Sequence, residues 1–246
     1  MSARPCLEVR GVTKHFGGLY ANDNIDFSVE DEEIVSVIGP NGAGKSTLFN
    51  CITGFYPPNR GHVRFRGHDI TRFRADKVCK MGIARTFQVV QVISDMTVLE
   101  NVMTGALLRC TKIGHAIEKA EVVLAFAGLI DKKNFLGTEL TIADKKRLEV
   151  SMALATEPKL LMLDEAMAGL TPVELRGMIE LIKNIQKGGM TVVVVEHVME
   201  AVMEISHRVI VLNSGKKIME GSPKEVVCSK EVIQAYLGDK YNAVSQ

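Results

Sequence analysis

A chain of 246 residues with 46% apolar and 24% charged side chains has enough material for one large α/β unit with a sizeable core, and its composition excludes a disordered or fibrous protein. Thirty basic residues against 29 acidic ones leave a net charge of +1, which removes any case for bulk electrostatic capture by nucleic acid or anionic lipid. No run approaches the roughly 18 consecutive apolar residues of a membrane span, Met1 to Glu8 lacks the apolar core of a secretory signal, and five scattered cysteines without a CxxC pair suggest neither a disulfide framework nor a zinc site.

Leu7 to Val12 and Ile25 to Val29 alternate apolar and polar side chains, which predicts half-buried strands. Ile34 to Ile38 is denser in apolar residues and stops at Gly39. Ser46 to Thr53 reads as a helix ended by Gly54 and the Pro57-Pro58 pair. His62 to Arg66 reads as a strand that turns at Gly67. From Met96 to about Thr156 the pattern becomes helical. Leu99, Val102, Leu107 and Leu108 suggest one helix; Ile117, Val123, Leu124 and Phe126 suggest a second; Leu148, Met152 and Ala155 continue the theme. Strands Leu160 to Leu163, Thr191 to Val195 and Val209 to Leu212 follow, with a helix from Pro172 to Gln186 between the first two. This alternation predicts a mainly parallel sheet covered on both faces, with the helical stretch as an insertion. The tail after about Lys240 is expected to fray.

The segment Gly39-Pro-Asn41-Gly42-Ala-Gly44-Lys45-Ser46-Thr47 matches G-x-x-x-x-G-K-[ST], between an apolar strand and a helix. Gly42 and Gly44 let the backbone curl so that successive N–H groups face one anion, and the helix adds the positive end of its dipole. Lys45 brings a full charge to the β- and γ-phosphates. The Ser46 hydroxyl is a hard oxygen ligand suited to Mg²⁺. A second signal is the strand Leu160 to Leu163 running into Asp164 and Glu165. At the carboxyl end of a parallel strand, Asp164 is expected near the metal and Glu165 near the γ-phosphate, where it could polarise an attacking water. His197, just beyond a third strand, could hydrogen-bond a γ-phosphate oxygen or serve only structurally.

Together and in this order these motifs resemble the ATP-binding-cassette (ABC) ATPases, from about Leu7 to Gly238. The resemblance implies an α/β P-loop NTPase core with a mainly parallel sheet, an N-terminal antiparallel β portion and an inserted α-helical subdomain. It implies one domain over 1–246, with about 1–87 and 157–240 as the nucleotide-binding core and about 88–156 as the insertion. It further implies ATP and Mg²⁺ as ligands and ATP hydrolysis as the activity. Phe16, in Lys14-His-Phe-Gly-Gly18, looks like the aromatic that stacks on adenine. Gln88, in Arg85-Thr-Phe-Gln88, looks like the glutamine that joins Mg²⁺ and water to the permease contact. Asn41 and Thr47 complete the phosphate loop. The family's signature, normally Leu-Ser-Gly-Gly-Gln, is here Leu140-Thr-Ile-Ala-Asp144. Thr141 could replace the serine hydroxyl and Ala143 keeps its N–H; either Asp144 turns away and is held by Lys145 or Lys146, the favoured reading, or the signature is weakened and one of two ATP sites is less active.

Phe16-Gly-Gly-Leu19, Asn50-Cys-Ile-Thr-Gly-Phe55, Met167-Ala-Gly-Leu170 and Ala235-Tyr-Leu-Gly238 look like the ATPases of branched-chain amino acid importers, with urea and amide importers as near relatives. That likeness implies a second ATPase chain, identical or a sister, closing head to tail on this one. It also implies transmembrane permease subunits, an indirect link to a substrate-binding protein, no nucleic acid partner, and a place on the cytoplasmic face of the cell membrane. The loop Val89 to Met96 is the expected permease contact. Export of lipid or polysaccharide, a repair or translation ATPase, and a non-hydrolysing regulator are the competing readings.

Overall fold

The computed structural model describes residues 4–237; Gly238 and the tail after Lys240 lie outside them. In chain order the elements are β1 (Leu7–Phe16), β2 (Leu19–Val29), β3 (Ile34–Ile38), α1 (Lys45–Ile52), β4 (Arg60–Phe65), β5 (His68–Asp69), α2 (Ala75–Met81) and β6 (Ile83–Arg85). Then come α3 (Val98–Ala106), α4 (Ile113–Phe126), α5 (Ile142–Ala155), β7 (Leu160–Asp164), α6 (Pro172–Lys187), β8 (Thr191–Val195), α7 (Met199–Ile205), β9 (Arg208–Asn213), β10 (Lys216–Gly221), α8 (Pro223–Cys228) and α9 (Lys230–Leu237).

Among the described residues the strands form two sheets. The first is antiparallel, in the order β2-β1-β4-β5. The second runs β10-β9-β3-β8-β7-β6, parallel from β9 to β6 and closed by antiparallel β10. Side chains alternate across this second sheet. Val35, Val37, Leu160, Met162, Val193 and Val195 pack toward the antiparallel sheet and α1. Ile34, Leu161, Leu163, Val192 and Val194 pack toward α6 and the start of α7. Both faces are covered, which is why these strands read as unbroken apolar runs. The helices α3, α4 and α5 share a separate core built on Val98, Val102, Leu124 and Leu148.

Several elements went unread in the sequence. β6 has three residues, too few to show a period. β10 is Lys216-Lys-Ile-Met-Glu-Gly221, a half-exposed edge strand with little apolar signal. Leu107 and Leu108 lie beyond the end of α3 at Ala106, in a turn rather than in the predicted helix. The predicted strands at the N-terminus are longer than expected, because β1 and β2 continue as a hairpin to Phe16 and Leu19.

The helical layer is seated by one close approach. Gly105 lies where a Cβ would collide with the Met152 carbonyl and come 3.2 Å from the Ala155 Cβ, so α3 and α5 touch backbone to backbone. Two effects oppose each other in Gly105→Ala. Helix propensity favours alanine by about 1 kcal/mol, whereas overpacking costs about 1–3 kcal/mol. The clash is with backbone that cannot rotate away, so a net destabilisation of about 1–2 kcal/mol is expected from the urea midpoint, and a more stable variant would refute the close packing.

Candidate functional site

The carboxyl ends of β3 and β7 bring the two sequence signals together. β3 ends at Ile38, the chain turns at Gly39, and α1 begins at Lys45. The residue before α1, Gly44, has φ 101°, and no side chain caps the helix. Its first N–H groups are therefore left for an external acceptor. A Cβ on Gly44 would collide with the Ala21 carbonyl and lie 2.7 Å from the Asn22 amide. The buried Asn22 donates to the Gly44 carbonyl at 3.1 Å. The hairpin β1–β2 is thus pressed against the loop, and this carries Phe16 to the same cleft.

That cleft, of about 480 Å³, is lined by Phe16, Tyr20, Asn41, Gly42, Gly44, Lys45, Ser46, Thr47, Gln88 and Glu165. Phe16 is 48% exposed there, with Tyr56 edge-on at 5.7 Å between centroids and the Lys14 ammonium 5.1 Å from its ring centre. The Lys45 Nζ donates to the carbonyls of Gly39 at 2.7 Å and Pro40 at 3.0 Å. Burial lowers its pKa, and the carboxylates of Glu165 and Asp164 pull it back up. One of its three donors remains free for a ligand.

Glu165 and Gln88 meet directly, the Gln88 amide donating to the Glu165 carboxylate at 3.1 Å. Glu165 has φ 52°, left-handed backbone that is strained for a glutamate. Asp164, 2% exposed, lies behind it. One of its oxygens accepts from the Arg85 guanidinium at 3.1 Å; the other is buried with no hydrogen-bond partner. Burial raises the Asp164 pKa, with Arg85 opposing it and Glu165 adding to it. An orphaned hard oxygen on a carboxylate whose charge the Lys45 ammonium feels is what Mg²⁺ held mainly by phosphate oxygens and water would use. The residues therefore fit the ion.

Besides Asp164, which lies behind it, three predicted residues do not line this cleft. His197 is exposed and does not line it. Thr141 and Ala143 are at the start of α5. There Thr141 is the N-cap: its hydroxyl accepts from the Asp144 N–H at 3.2 Å and donates to the Asp144 carboxylate at 2.8 Å. The expectation that Lys145 or Lys146 holds Asp144 is corrected. The partner is Lys132, at 2.6 Å, reaching from the short helical turn Ile130–Lys132. Burial would push Asp144 up, but Lys132 and Thr141 outweigh it and hold the carboxyl below its ordinary range.

Sequence reasoning gave none of four charged residues behind the cleft the role it has there. Arg85 joins Asp164, Asn50 and Thr53. Glu149 accepts from the Phe87 N–H at 2.8 Å and so fixes the residue before Gln88. Lys146 and Glu196 are both buried against the turn after Glu165. The stretch Lys145-Lys-Arg-Leu-Glu149 was given no place behind the cleft. Its one available signal is that Glu149 follows the buried Leu148 within an apolar helical pattern.

A family profile described as "ABC transporter" matches residues 22–168, and one described as "Branched-chain amino acid ATP-binding cassette transporter" matches residues 216–242. The chain is 38% identical over 253 aligned residues to the high-affinity branched-chain amino acid transport ATP-binding protein LivG of Salmonella typhimurium, covering 96% of this chain and 99% of that one. A nucleotide-free ATP-binding cassette from an ABC transporter superposes with a TM-score of 0.88 at 30% identity, over 96% of this chain and 100% of its own. The cassette MJ0796, solved as a post-hydrolysis dimer bound to ADP and Pi, superposes with a TM-score of 0.80 at 26% identity, over 88% and 98%.

Burial pushes the Glu149 carboxyl up to about 7 from an ordinary 4.5, with the Phe87 and Gln91 N–H groups, Lys146 and Arg85 opposing it. Between these values the folded chain holds a proton that the unfolded chain releases. Its contribution to stability therefore falls as pH rises through that window. Glu149→Gln should flatten the slope of Tm against pH between about 5 and 8. An unchanged slope would show that Glu149 ionises as an ordinary carboxylate.

Proposed function

The chain belongs to the ABC transporter family as an ATP-binding and ATP-hydrolysing subunit, and from that premise we propose that it energises a membrane permease for the uptake of branched-chain amino acids. The observation that carries the reading is the meeting, in one cleft, of an uncapped glycine-rich helix start, Lys45, Glu165 and Gln88. The cargo rests on the likeness to LivG and on the match at residues 216–242.

The roles of the residues follow from their chemistry. The N–H groups of Gly42 to Thr47 and the Lys45 ammonium bind the phosphates, and Phe16 offers its face to the base. Ser46 and Asp164 would hold Mg²⁺, with Gln88 as a further oxygen ligand; the ion supplies charge neutralisation on the phosphate oxygens. The Glu165 carboxylate accepts a proton from water as that water attacks the γ-phosphorus and the bond to the β–γ bridging oxygen breaks, releasing ADP. His197, at the next strand end, would reach the γ-phosphate once the cassette closes.

The chain works with a second ATPase chain and with permease subunits. The finer reading is that Thr141, Ala143 and the rest of this variant signature face the ATP held by the partner. The Lys132–Asp144 pair neutralises the carboxylate that would repel that ATP. Closure would pass to the permease through the loop after Gln88, where Val89 is 73% exposed and Ile93 and Met96 are also uncovered. No helix of the described residues is long and apolar enough to cross a membrane. On its likeness to LivG the chain is read as a peripheral subunit on the cytoplasmic face, in a system whose cargo is delivered by a separate binding protein. We read the chain as one ATPase domain, with residues 88–156 as its helical insertion.

Glu165→Gln should abolish turnover in the reconstituted transporter while leaving Mg-ATP affinity within about threefold, because it removes the base and keeps the shape. Lys45→Ala should lose affinity itself. Turnover surviving in the Glu165 variant would remove it as the base. Leucine uptake into proteoliposomes containing the permease and binding protein tests the cargo, and ATPase stimulation by urea instead would overturn it.

A further inference from the structure

The turn from Glu165 to Ala168 carries the catalytic carboxylate in strained backbone. A residue at positive φ stays there only when its surroundings over-determine it. Two buried ionisable side chains supply that constraint, one from α5 and one from the end of β8. Lys146, on α5 and 8% exposed, donates its Nζ to the carbonyl of Glu165 at 2.9 Å and to that of Ala168 at 2.7 Å. Glu196, at the end of β8 and fully buried, accepts the Met167 N–H at 2.7 Å and the His197 N–H at 3.3 Å. A third tie is the Glu165 N–H, which donates to the Val195 carbonyl at 2.9 Å.

We propose that Lys146 and Glu196 form a clasp that positions Glu165 for attack on ATP, and that through this clasp α5 sets the geometry of the chain's own catalytic carboxylate. The proposal rests on the reading of Glu165 as the base. Neither residue touches the cleft, so both act through the turn they hold. The clasp joins three things that lie apart in the sequence. Its lysine is two residues beyond Asp144, the variant position in the signature. Its glutamate is bonded to the backbone of His197. Its turn bears Glu165. A displacement of the α5 start is therefore carried to the carboxylate by two hydrogen bonds from one ammonium group. The two charges also share an environment. Burial lowers the Lys146 pKa and Glu196 leads the charges that restore it, while burial raises that of Glu196. Removing either charge leaves the other less compensated in a desolvated place.

The test uses the full-length chain reconstituted with its permease, with four variants compared: Lys146→Met, Glu196→Gln, the pair combined, and Glu165→Gln. Met keeps the length of the stem and removes the donors. For Lys146→Met, kcat is expected to fall about 10- to 100-fold, the usual penalty for a misplaced catalytic group, with KM for Mg-ATP within about twofold. The combined variant balances the charges. It is expected to regain most of the Tm lost by Lys146→Met while kcat stays low, and it carries the kcat test if the single variant fails to fold. A kcat within about twofold of the parent in a folded Lys146 variant would overturn the clasp, as would a kcat that recovers together with Tm. Glu165→Gln separates the two levels. Turnover that survives there overturns the assignment of the base. Turnover lost there but kept in Lys146→Met overturns only the clasp.

Discussion

The pairing of Arg85 with Asp164 is the constraint on which the site rests. Their side chains are 8% and 2% exposed, so neither charge has water to return to. Such a pair adds little net stability, yet losing one member costs about 3–5 kcal/mol because the other is left buried alone. The guanidinium also binds Asn50 and Thr53 at the end of α1, and burial is the main force lowering its pKa. One side chain therefore ties β6, β7 and the phosphate-loop helix into a fixed triangle. Asp164 keeps one oxygen unpaired inside that triangle. In a protein core that is expensive; in the proposed function that oxygen is the hard ligand Asp164 would offer to Mg²⁺.

Around this centre the other polar groups obey one rule. Each buried ionisable side chain is met by backbone rather than by a matching side chain. Lys45 is held by the Gly39 and Pro40 carbonyls, Lys146 by those of Glu165 and Ala168, and Glu149 and Glu196 by the N–H groups of Phe87 and Met167. Backbone partners fix loop geometry, whereas ion pairs fix only side chains. The loops at the carboxyl edge of the sheet are thereby held by charges whose release would cost more than an ordinary hydrogen bond. This suits loops that must keep catalytic groups in register.

Much of this was legible in the sequence, and the reasons are physical. The phosphate loop and the Asp164-Glu165 strand end declare themselves because their chemistry needs particular residues at fixed spacing between elements of fixed type. The apolar strands β3, β7 and β8 were legible because both their faces are buried. What stayed hidden depends on long-range placement. Arg85 and Asp164 are 79 positions apart, and nothing local links them. Lys146 is expected beside Asp144, its near neighbour in sequence, yet it points inward to the Glu165 and Ala168 carbonyls. Lys132 as the partner of Asp144 was missed for the same reason: the nearer lysines in sequence are not the nearer ones in space. The strands β6 and β10 were missed because three residues carry no period and a half-exposed edge carries little contrast.

Those two inconspicuous strands have a consequence for the sheet's exposure to other chains. They are the two margins of the six-stranded sheet. A three-residue ladder at one margin and a charged antiparallel strand, with Lys216, Lys217 and Glu220, at the other give a foreign strand little to zip onto. These two margins therefore leave a copy of the chain little exposed ladder on which to add a strand.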